Sequence, residues 1–271
     1  MSILQALILG IVQGLTEFLP ISSSAHLVLV PFFFGWVFPK DQAFAFDVIV
    51  QLGTLAAVIV YFWKDLWQII KGFFQGLLAR KPFESLESRL GWYLILATIP
   101  AGLFGLLIKD QVEAVFGSPF ATGLFLLATA GLLIAGELLG KKARSLQSFG
   151  WLDALIMGIG QAAAVFPGIS RSGATISAGM LRGLDRSSAA RFSFLMAVPV
   201  MLAAGGLSIL DLLDMQGLGN FLLPLGVGFL AAGVVGFLSI HLLLKLISRT
   251  SFVGFALYCI ALSLLTSAFS F

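Results

Sequence analysis

The sequence predicts an all-helical integral membrane protein with six transmembrane helices and two re-entrant helical hairpins in an inverted-topology repeat. The first observation is composition: of 271 residues, 59% are hydrophobic and 11% charged, with a mean hydropathy of +1.04, whereas a soluble domain carries about 25% charged residues. The second is a series of apolar stretches near the roughly 20 residues that cross a bilayer as helix. The third is an internal repeat whose two copies are both interrupted in the middle.

Six segments are predicted to cross the membrane, at about residues 43–63, 91–108, 119–138, 192–209, 220–244 and 251–270. The apolar N-terminus has no Lys or Arg before Lys40, so we expect it to belong to the mature fold and not to a cleaved signal peptide. A single cysteine, Cys259, excludes an intramolecular disulfide. The basic residues lie in short connections and form no continuous patch, so nucleic acid is not an expected partner.

The repeat aligns Ala6–His26, "ALILGIVQGLTEFLPISSSAH", with Ala154–Ala174, "ALIMGIGQAAAVFPGISRSGA", at an offset of 148 with ten of 21 positions identical. Apolar composition does not explain the match of Gln13 with Gln161 or of Ser22 with Ser170. We therefore predict a duplication, with repeats of about 1–139 and 150–271 in a single membrane domain, 1–271.

Proline and small polar residues interrupt each copy, at 20–24 and at 167–173. Such backbone is tolerated at membrane depth only where protein or a water-filled cavity surrounds it. A hairpin that enters and leaves on the same side satisfies this condition.

The basic residues favour hairpins over single crossings. With hairpins, 13 of them share one side and only Lys40 and Lys109 lie on the other, whereas a single crossing by the second copy gives 8 against 7. The 13 are Lys64, Lys71, Arg80, Lys81, Arg89, Lys141, Lys142, Arg144, Arg182, Arg186, Arg191, Lys245 and Arg249. The positive-inside rule places them in the cytoplasm. Three spans between the hairpins invert the second relative to the first, so the two tips are predicted to meet near the midplane.

The first tip combines polar groups of several kinds. Gln13 and Glu17, four residues apart, share a helical face. Ser22, Ser23 and Ser24 can cap a second helix, and Ser23 lies three residues before His26. A serine within reach of an imidazole is the start of an activated nucleophile.

The second tip has the composition of an anion site. Ser170, Ser172, Gly173 and Thr175 surround a predicted helix N-terminus, and Arg171 adds a guanidinium suited to phosphate. Ionisable groups at membrane depth cost about 2.5 to 3.5 kcal/mol each on insertion scales, which favours a functional reading of Glu17, His26 and Arg171. Gly131 and Gly136 are expected to serve close helix packing.

The segments "QGLTEFLPISSSAHL" and "PGISRSGAT" resemble the two signature regions of the bacterial undecaprenyl-diphosphate phosphatase family of the bacitracin-resistance type. The first carries that family's (Glu/Gln)-x-x-x-Glu motif, followed by Pro-x-Ser-Ser-x-x-His. The second carries Pro-Gly-x-Ser-Arg-Ser-Gly-x-Thr. Length, hydropathy and the duplicated hairpins extend the resemblance over the whole chain.

The resemblance implies hydrolysis of a C55 polyprenyl diphosphate to its monophosphate on the outer side of the cytoplasmic membrane, which recycles the lipid carrier of cell-wall synthesis and confers bacitracin resistance. It also implies a divalent cation, Mg²⁺ or Ca²⁺, for which Glu17 and Gln13 are the candidate ligands. The expected partners are the lipid substrate and the bilayer, and a homodimer is left open.

The residues suggest a division of roles. We expect Glu17, Ser23, His26 and Arg171 to act in catalysis, and Ser22, Ser24, Ser170, Ser172, Gly173 and Thr175 to bind phosphate. Ser23 would attack phosphorus with His26 assisting proton transfer, or water would attack directly. The alternative function is a flippase or transporter for a polyprenyl phosphate, because secondary transporters also join inverted repeats and broken helices at the midplane. A purely structural subunit would leave the buried charges unexplained.

Overall fold

The computed structural model describes residues 1–108, 112, 115, 117–213, 218–247 and 250–270. In these ranges the chain forms eleven named α-helices, a short 3₁₀ turn at Leu146–Ser148 and no β-strand. The helices are α1 (Ile3–Thr16), α2 (Ser23–Phe34), α3 (Lys40–Tyr61), α4 (Trp63–Leu78), α5 (Leu86–Leu107), α6 (Pro119–Leu139), α7 (Trp151–Ala163), α8 (Arg171–Leu181), α9 (Arg186–Leu213), α10 (Leu218–Ile247) and α11 (Val253–Phe269).

Five of the helices in the described ranges, α3, α5, α6, α9 and α10, are long and apolar enough to cross a membrane. The sixth predicted span corresponds to α11, which is apolar but has only 17 residues. The protein is thus an all-helical, multi-pass membrane protein, as predicted. The division into six crossing helices and two re-entrant hairpins stays a prediction.

Both interruptions of the repeat are confirmed as breaks between helices. The first separates α1 from α2 and contains Pro20, which has no N–H to continue a helix. The second separates α7 from α8. The aligned serines act alike, because Ser22 Oγ accepts from the Ala25 N–H at 3.3 Å and Ser170 Oγ accepts from the Gly173 N–H at 3.0 Å. Each break therefore ends in a serine-capped helix N-terminus.

The first helix of each hairpin packs against a helix from the other part of the chain, α1 on α10 and α7 on α5. Aligned glycines allow the approach. A Cβ built on Gly10 would lie 2.6 Å from the Gly228 oxygen, and one on Gly158 would lie 2.6 Å from the Ala97 oxygen. Helices in membranes approach this closely where the facing residues are small, such as Gly and Ala.

Helix α4 was not predicted, because its charged residues indicated a connection between spans. It is strongly amphipathic, and its apolar face is buried at Leu66 and Ile69 but largely exposed at Trp63 and Trp67. It packs on α5. Exposed tryptophans with nearby charges are typical of a helix at a membrane surface.

Two carboxylates hold together the end of the bundle where α6, α7, α8, α9 and α11 begin or end. Glu137 accepts from Lys142 Nζ at 2.8 Å, from Arg186 and from the Phe252 N–H at 3.2 Å. Asp153 accepts from Arg144 NH2 at 2.7 Å and from Arg182 Nε at 3.0 Å.

The hydrogen bond to Asp153 raises the pKa of Arg144 above its ordinary value. The basic members of these two clusters, Lys142, Arg144, Arg182 and Arg186, all belong to the 13 residues predicted to lie in the cytoplasm. Arg249, another of the 13, and Lys109, which was predicted to lie on the opposite side, are outside the described residues.

Candidate active site

The break after α1 turns the chain so that Ser23, the first residue of α2, lies against Glu17. Ser23 Oγ donates to Glu17 Oε2 at 2.6 Å, and Gln13 Nε2 donates to the same oxygen at 3.0 Å. Glu17 is 6% exposed. The carboxylate is therefore placed to withdraw the proton of the Ser23 hydroxyl.

The second break brings Arg171 to the same carboxylate across 154 residues of sequence. Its NH2 atom donates to Glu17 Oε1 at 2.7 Å, while its buried NH1 atom has no partner among the described residues. The predicted meeting of the two tips is thus observed as a contact between Glu17 and Arg171. Half of the guanidinium fork holds Glu17, and the other half is available to an anion.

Further hydrogen bonds join the two tips and fix the second one. Ser172 Oγ donates to the Leu19 oxygen at 3.1 Å, and the Gly168 N–H donates to Ser24 Oγ at 3.4 Å. Thr129 of α6 accepts from the Ser170 N–H and donates to the Gly168 oxygen, both at 2.9 Å. These bonds hold Arg171 in place opposite the first tip.

The spacing of three residues suggested that His26 pairs with Ser23, but the structure shows no such contact. His26 Nδ1 lies 2.7 Å from the Ser22 oxygen, and its Nε2 lies 2.7 Å from the Tyr258 hydroxyl of α11. A carbonyl oxygen only accepts, so Nδ1 carries a proton. In the neutral imidazole, Nε2 then accepts from the Tyr258 hydroxyl. The His26 ring therefore binds the backbone of Ser22, whose φ of 69° is unusual for a residue other than glycine, and it does not line the cavity described below.

A cavity of about 620 Å³ opens at the tips. Its polar end is lined by Gln13, Glu17, Ser22, Ser23, Ser24, Gln161, Ser170 and Arg171, and its apolar part by residues of α3, α5 and α9 such as Phe44, Ala101, Gly102, Val200 and Ala204. This volume is in the range of small-molecule sites. One polar end and one apolar part match the two ends of an amphiphile. A smaller cavity, of about 380 Å³ beside Asp65 and Arg191, lies away from the tips.

The predicted phosphate-binding residues divide into two groups. Ser22, Ser24 and Ser170 line the cavity, whereas Ser172, Gly173 and Thr175 do not. The Gly173 N–H is engaged by Ser170 Oγ, and Thr175 Oγ1 is 2.6 Å from Ser193 Oγ of α9. Ser172, Gly173 and Thr175 therefore stabilise the second tip through contacts outside the cavity.

Three residues at the site were not singled out from the sequence. Tyr258 has no local signal, since it is 232 residues from His26. Gln161 was noted only as the repeat partner of Gln13. Asp47 lies in the apolar stretch 43–63 and lines the cavity, and a carboxylate in such a stretch was a signal that could have been used.

Comparison with known proteins gives a consistent answer. A sequence profile of the family described as "Bacitracin resistance protein BacA" matches residues 6–265. The chain belongs to the BacA family. Three relatives named undecaprenyl-diphosphatase come from Chlorobium phaeobacteroides (strain BS1), Methanosphaera stadtmanae and Moorella thermoacetica, at 44%, 42% and 45% identity. The alignments cover 97%, 98% and 99% of this chain and 95%, 97% and 98% of those proteins.

The resemblance inferred from the two motifs is therefore confirmed. In this member of the BacA family, the motif residues Glu17, Ser23 and Arg171 form one hydrogen-bonded chain. That chain joins the first tip to the second and faces the cavity.

Proposed function

We propose that this protein hydrolyses undecaprenyl diphosphate to undecaprenyl phosphate and inorganic phosphate, and thereby recycles the lipid carrier of cell-wall synthesis and confers bacitracin resistance. The single observation that carries the proposal is the chain Ser23, Glu17 and Arg171 at the polar end of a cavity whose remaining lining is mostly apolar. Membership of the BacA family and the printed name of its relatives agree with it.

The proposed reaction follows from the donors and acceptors at the tips. Ser23 Oγ attacks the terminal phosphorus and passes its proton to Glu17, and the bond to the bridging oxygen breaks to release the lipid monophosphate. Water then attacks the phosphorus of the phosphoserine, and the bond between phosphorus and Ser23 Oγ breaks. The protonated Glu17 returns its proton to Ser23 Oγ, and the protons of the water leave with inorganic phosphate. Arg171 stabilises the charge on the phosphoryl oxygens through its unpaired NH1. A direct attack by water, with Glu17 as base, uses the same residues and remains the competing scheme.

Two proposals accompany this reaction. His26 acts as a positioning residue, because its ring is occupied by Ser22 and Tyr258 and does not line the cavity. Ser22, Ser24 and Ser170 act as phosphate ligands, because their side chains line the cavity.

The divalent cation implied by the resemblance also remains a proposal. Among the described residues no three His, Cys, Asp or Glu side chains cluster as a metal site. The side-chain oxygens present nevertheless fit a hard cation that binds together with the phosphate oxygens of the substrate. Gln13 offers a buried, unpaired carbonyl oxygen, and Glu17 lies beside it. Such a cation would neutralise charge on the diphosphate.

We further propose that six helices cross the cytoplasmic membrane, that both hairpins are re-entrant, and that the cavity opens to the outer side. The uneven distribution of basic residues supports this orientation. The packing of α1 on α10 and of α7 on α5 supports the inverted repeat.

The test is phosphate release from undecaprenyl diphosphate by the purified protein in detergent micelles. No sealed compartment exists there, so transport produces no signal, while hydrolysis releases inorganic phosphate at a rate proportional to the protein added. Absence of release above the rate of a Glu17→Gln, Ser23→Ala double variant would contradict the enzymatic function and favour transport.

A further inference from the structure

Asp47 lies on α3, a helix that is long and apolar enough to cross a membrane, and its carboxylate has no partner among the described residues. It lies between Phe44 and Val48, and all three line the cavity. It makes no hydrogen bond or ion pair with any group in the described part of the chain. Carboxylates at such depth ordinarily pair with a residue, an ion or a substrate. No residue that the structure describes fills that role.

Two buried amide oxygens lining the same cavity are also unpaired. Gln13 and Gln161 are aligned in the repeat and are 2% and 3% exposed, and Oε1 of each lacks a hydrogen-bond partner among the described residues. Their amide nitrogens are engaged, Gln13 Nε2 by Glu17 and Gln161 Nε2 by the Ala97 oxygen at 3.5 Å. Each side chain therefore presents its acceptor atom as the free one.

The free groups that line the cavity include three acceptors, the Asp47 carboxylate and the Oε1 atoms of Gln13 and Gln161, while Arg171 NH1 and the exposed Gln51 amide can donate. Glu17 is already bound at both oxygens, by Arg171 on one and by Ser23 and Gln13 on the other. A diphosphate adds only acceptor oxygens, which the Arg171 NH1 atom can bind. Acceptors of the protein and acceptors of the substrate repel one another unless a positive charge lies between them.

We propose that Asp47, together with the Oε1 atoms of Gln13 and Gln161, forms a site for a divalent cation that binds the diphosphate headgroup. One carboxylate, two amide carbonyls and substrate phosphate oxygens are the ligand types that Mg²⁺ and Ca²⁺ prefer. The assignment rests on the proposed function. It keeps Gln13 as a ligand, replaces Glu17 by Asp47 as the carboxylate ligand, and leaves Glu17 to accept the Ser23 proton.

The test measures cation binding directly, with Mn²⁺ as the probe. The purified full chain in detergent is titrated with Mn²⁺, with and without methylenediphosphonate as a non-hydrolysable headgroup, and the free ion is counted by electron paramagnetic resonance. The variants are Asp47→Asn and Gln161→Leu. The matched control is Asp41→Asn, which removes an exposed carboxylate from the first turn of the same helix.

We expect Asp47→Asn to raise the Mn²⁺ dissociation constant by at least about tenfold, and Gln161→Leu to raise it by a smaller factor, while Asp41→Asn leaves it unchanged. Asp47→Glu should restore part of the affinity, which separates loss of a ligand from misfolding. Wild-type Mn²⁺ affinity in a folded Asp47→Asn variant overturns the site, even if that variant no longer hydrolyses the lipid. Failure of the wild type to release phosphate while it still binds Mn²⁺ at Asp47 would instead contradict the enzymatic function alone.

Discussion

At the scale of single residues, Glu17 determines what the two tips can do. It accepts hydrogen bonds from Ser23, Gln13 and Arg171, so one buried carboxylate neutralises a guanidinium and holds a hydroxyl proton. Removing it would leave Arg171 as an uncompensated charge, which is costly in a buried site. Effects of Glu17 variants on activity therefore need a parallel measurement of folding.

Ser23→Ala separates the two reaction schemes. If Ser23 is the nucleophile, residual turnover should be close to background, and acid quenching of the wild type during turnover should trap phosphoserine. If Ser23 only binds phosphate, the loss should be about 10²-fold to 10³-fold, as for removal of an oxyanion-hole donor. A variant that keeps a tenth of wild-type turnover, with no trapped phosphoserine, would exclude the nucleophile role.

Arg171→Lys tests the guanidinium fork. A lysine keeps the charge but offers one ammonium in place of two separated donors, so it cannot hold Glu17 and the substrate in the same way. We expect phosphate release to fall by about 10²-fold. Arg191→Lys is the matched control, since Arg191 pairs with Asp65 away from the tips. Equal turnover of both variants would rule out the assigned role of Arg171.

The sequence predicted the members of the site better than their pairing. Spacing rules apply within one helix, and Ser23 and His26 do share α2, but the break before α2 folds Glu17 back onto Ser23 and turns His26 toward Tyr258. Contacts made across a break, or with a helix 232 residues away, cannot be predicted from the helical spacing of residues in the sequence. Asp47 was overlooked for a different reason, since its neighbours made the stretch look uniformly apolar.

At the scale of helices, α6 supports the second hairpin through its small residues. A Cβ on Gly136 would lie 2.9 Å from the Ser177 Cα of α8, whereas one on Gly131 would meet no atom within 4 Å. The expectation of close packing is thus confirmed at Gly136 and wrong at Gly131. Helix α8 begins with Arg171, so a displacement of α8 moves the site.

The two glycines provide a matched pair for mutation. Gly136→Leu should lower the free energy of unfolding by about 1 to 3 kcal/mol through overpacking and should also reduce turnover. Gly131→Leu should change neither, because its side chain would point into open space. Thermal unfolding in detergent and phosphate release together check the pair, and comparable behaviour of the two variants would contradict the described packing of α6 on α8.

At the scale of the whole molecule, the orientation in the membrane can be tested by labelling. In a Cys259→Ala background, single cysteines at Val37, Lys81 and Lys142 should react with an impermeant thiol reagent from opposite sides: Val37→Cys from outside, Lys81→Cys and Lys142→Cys from the cytoplasm. The charge distribution motivates this arrangement. Labelling of positions 37 and 81 from the same side of intact cells or sealed vesicles would disprove it.

The overall plan of broken and continuous helices was visible in the sequence, because the duplication and the prolines are covalent features. Helix α4 was not, because its charged residues indicated a connection between spans. Its apolar residues nevertheless form one broad face, of which one part packs on α5 and the other, with Trp63 and Trp67, is exposed. The pairing of Glu137 with Arg186 and of Asp153 with Arg182 was also hidden, because these residues are 49 and 29 positions apart.

The ion pair between Glu17 and Arg171 also orders events during synthesis of the chain. The two residues are 154 positions apart, and at about 5 to 20 residues per second a ribosome makes Arg171 about 8 to 30 s after Glu17. During that interval the first tip has a carboxylate but no guanidinium, and burying it at membrane depth is unfavourable. The first hairpin is therefore expected to be translated first and to reach its final depth last.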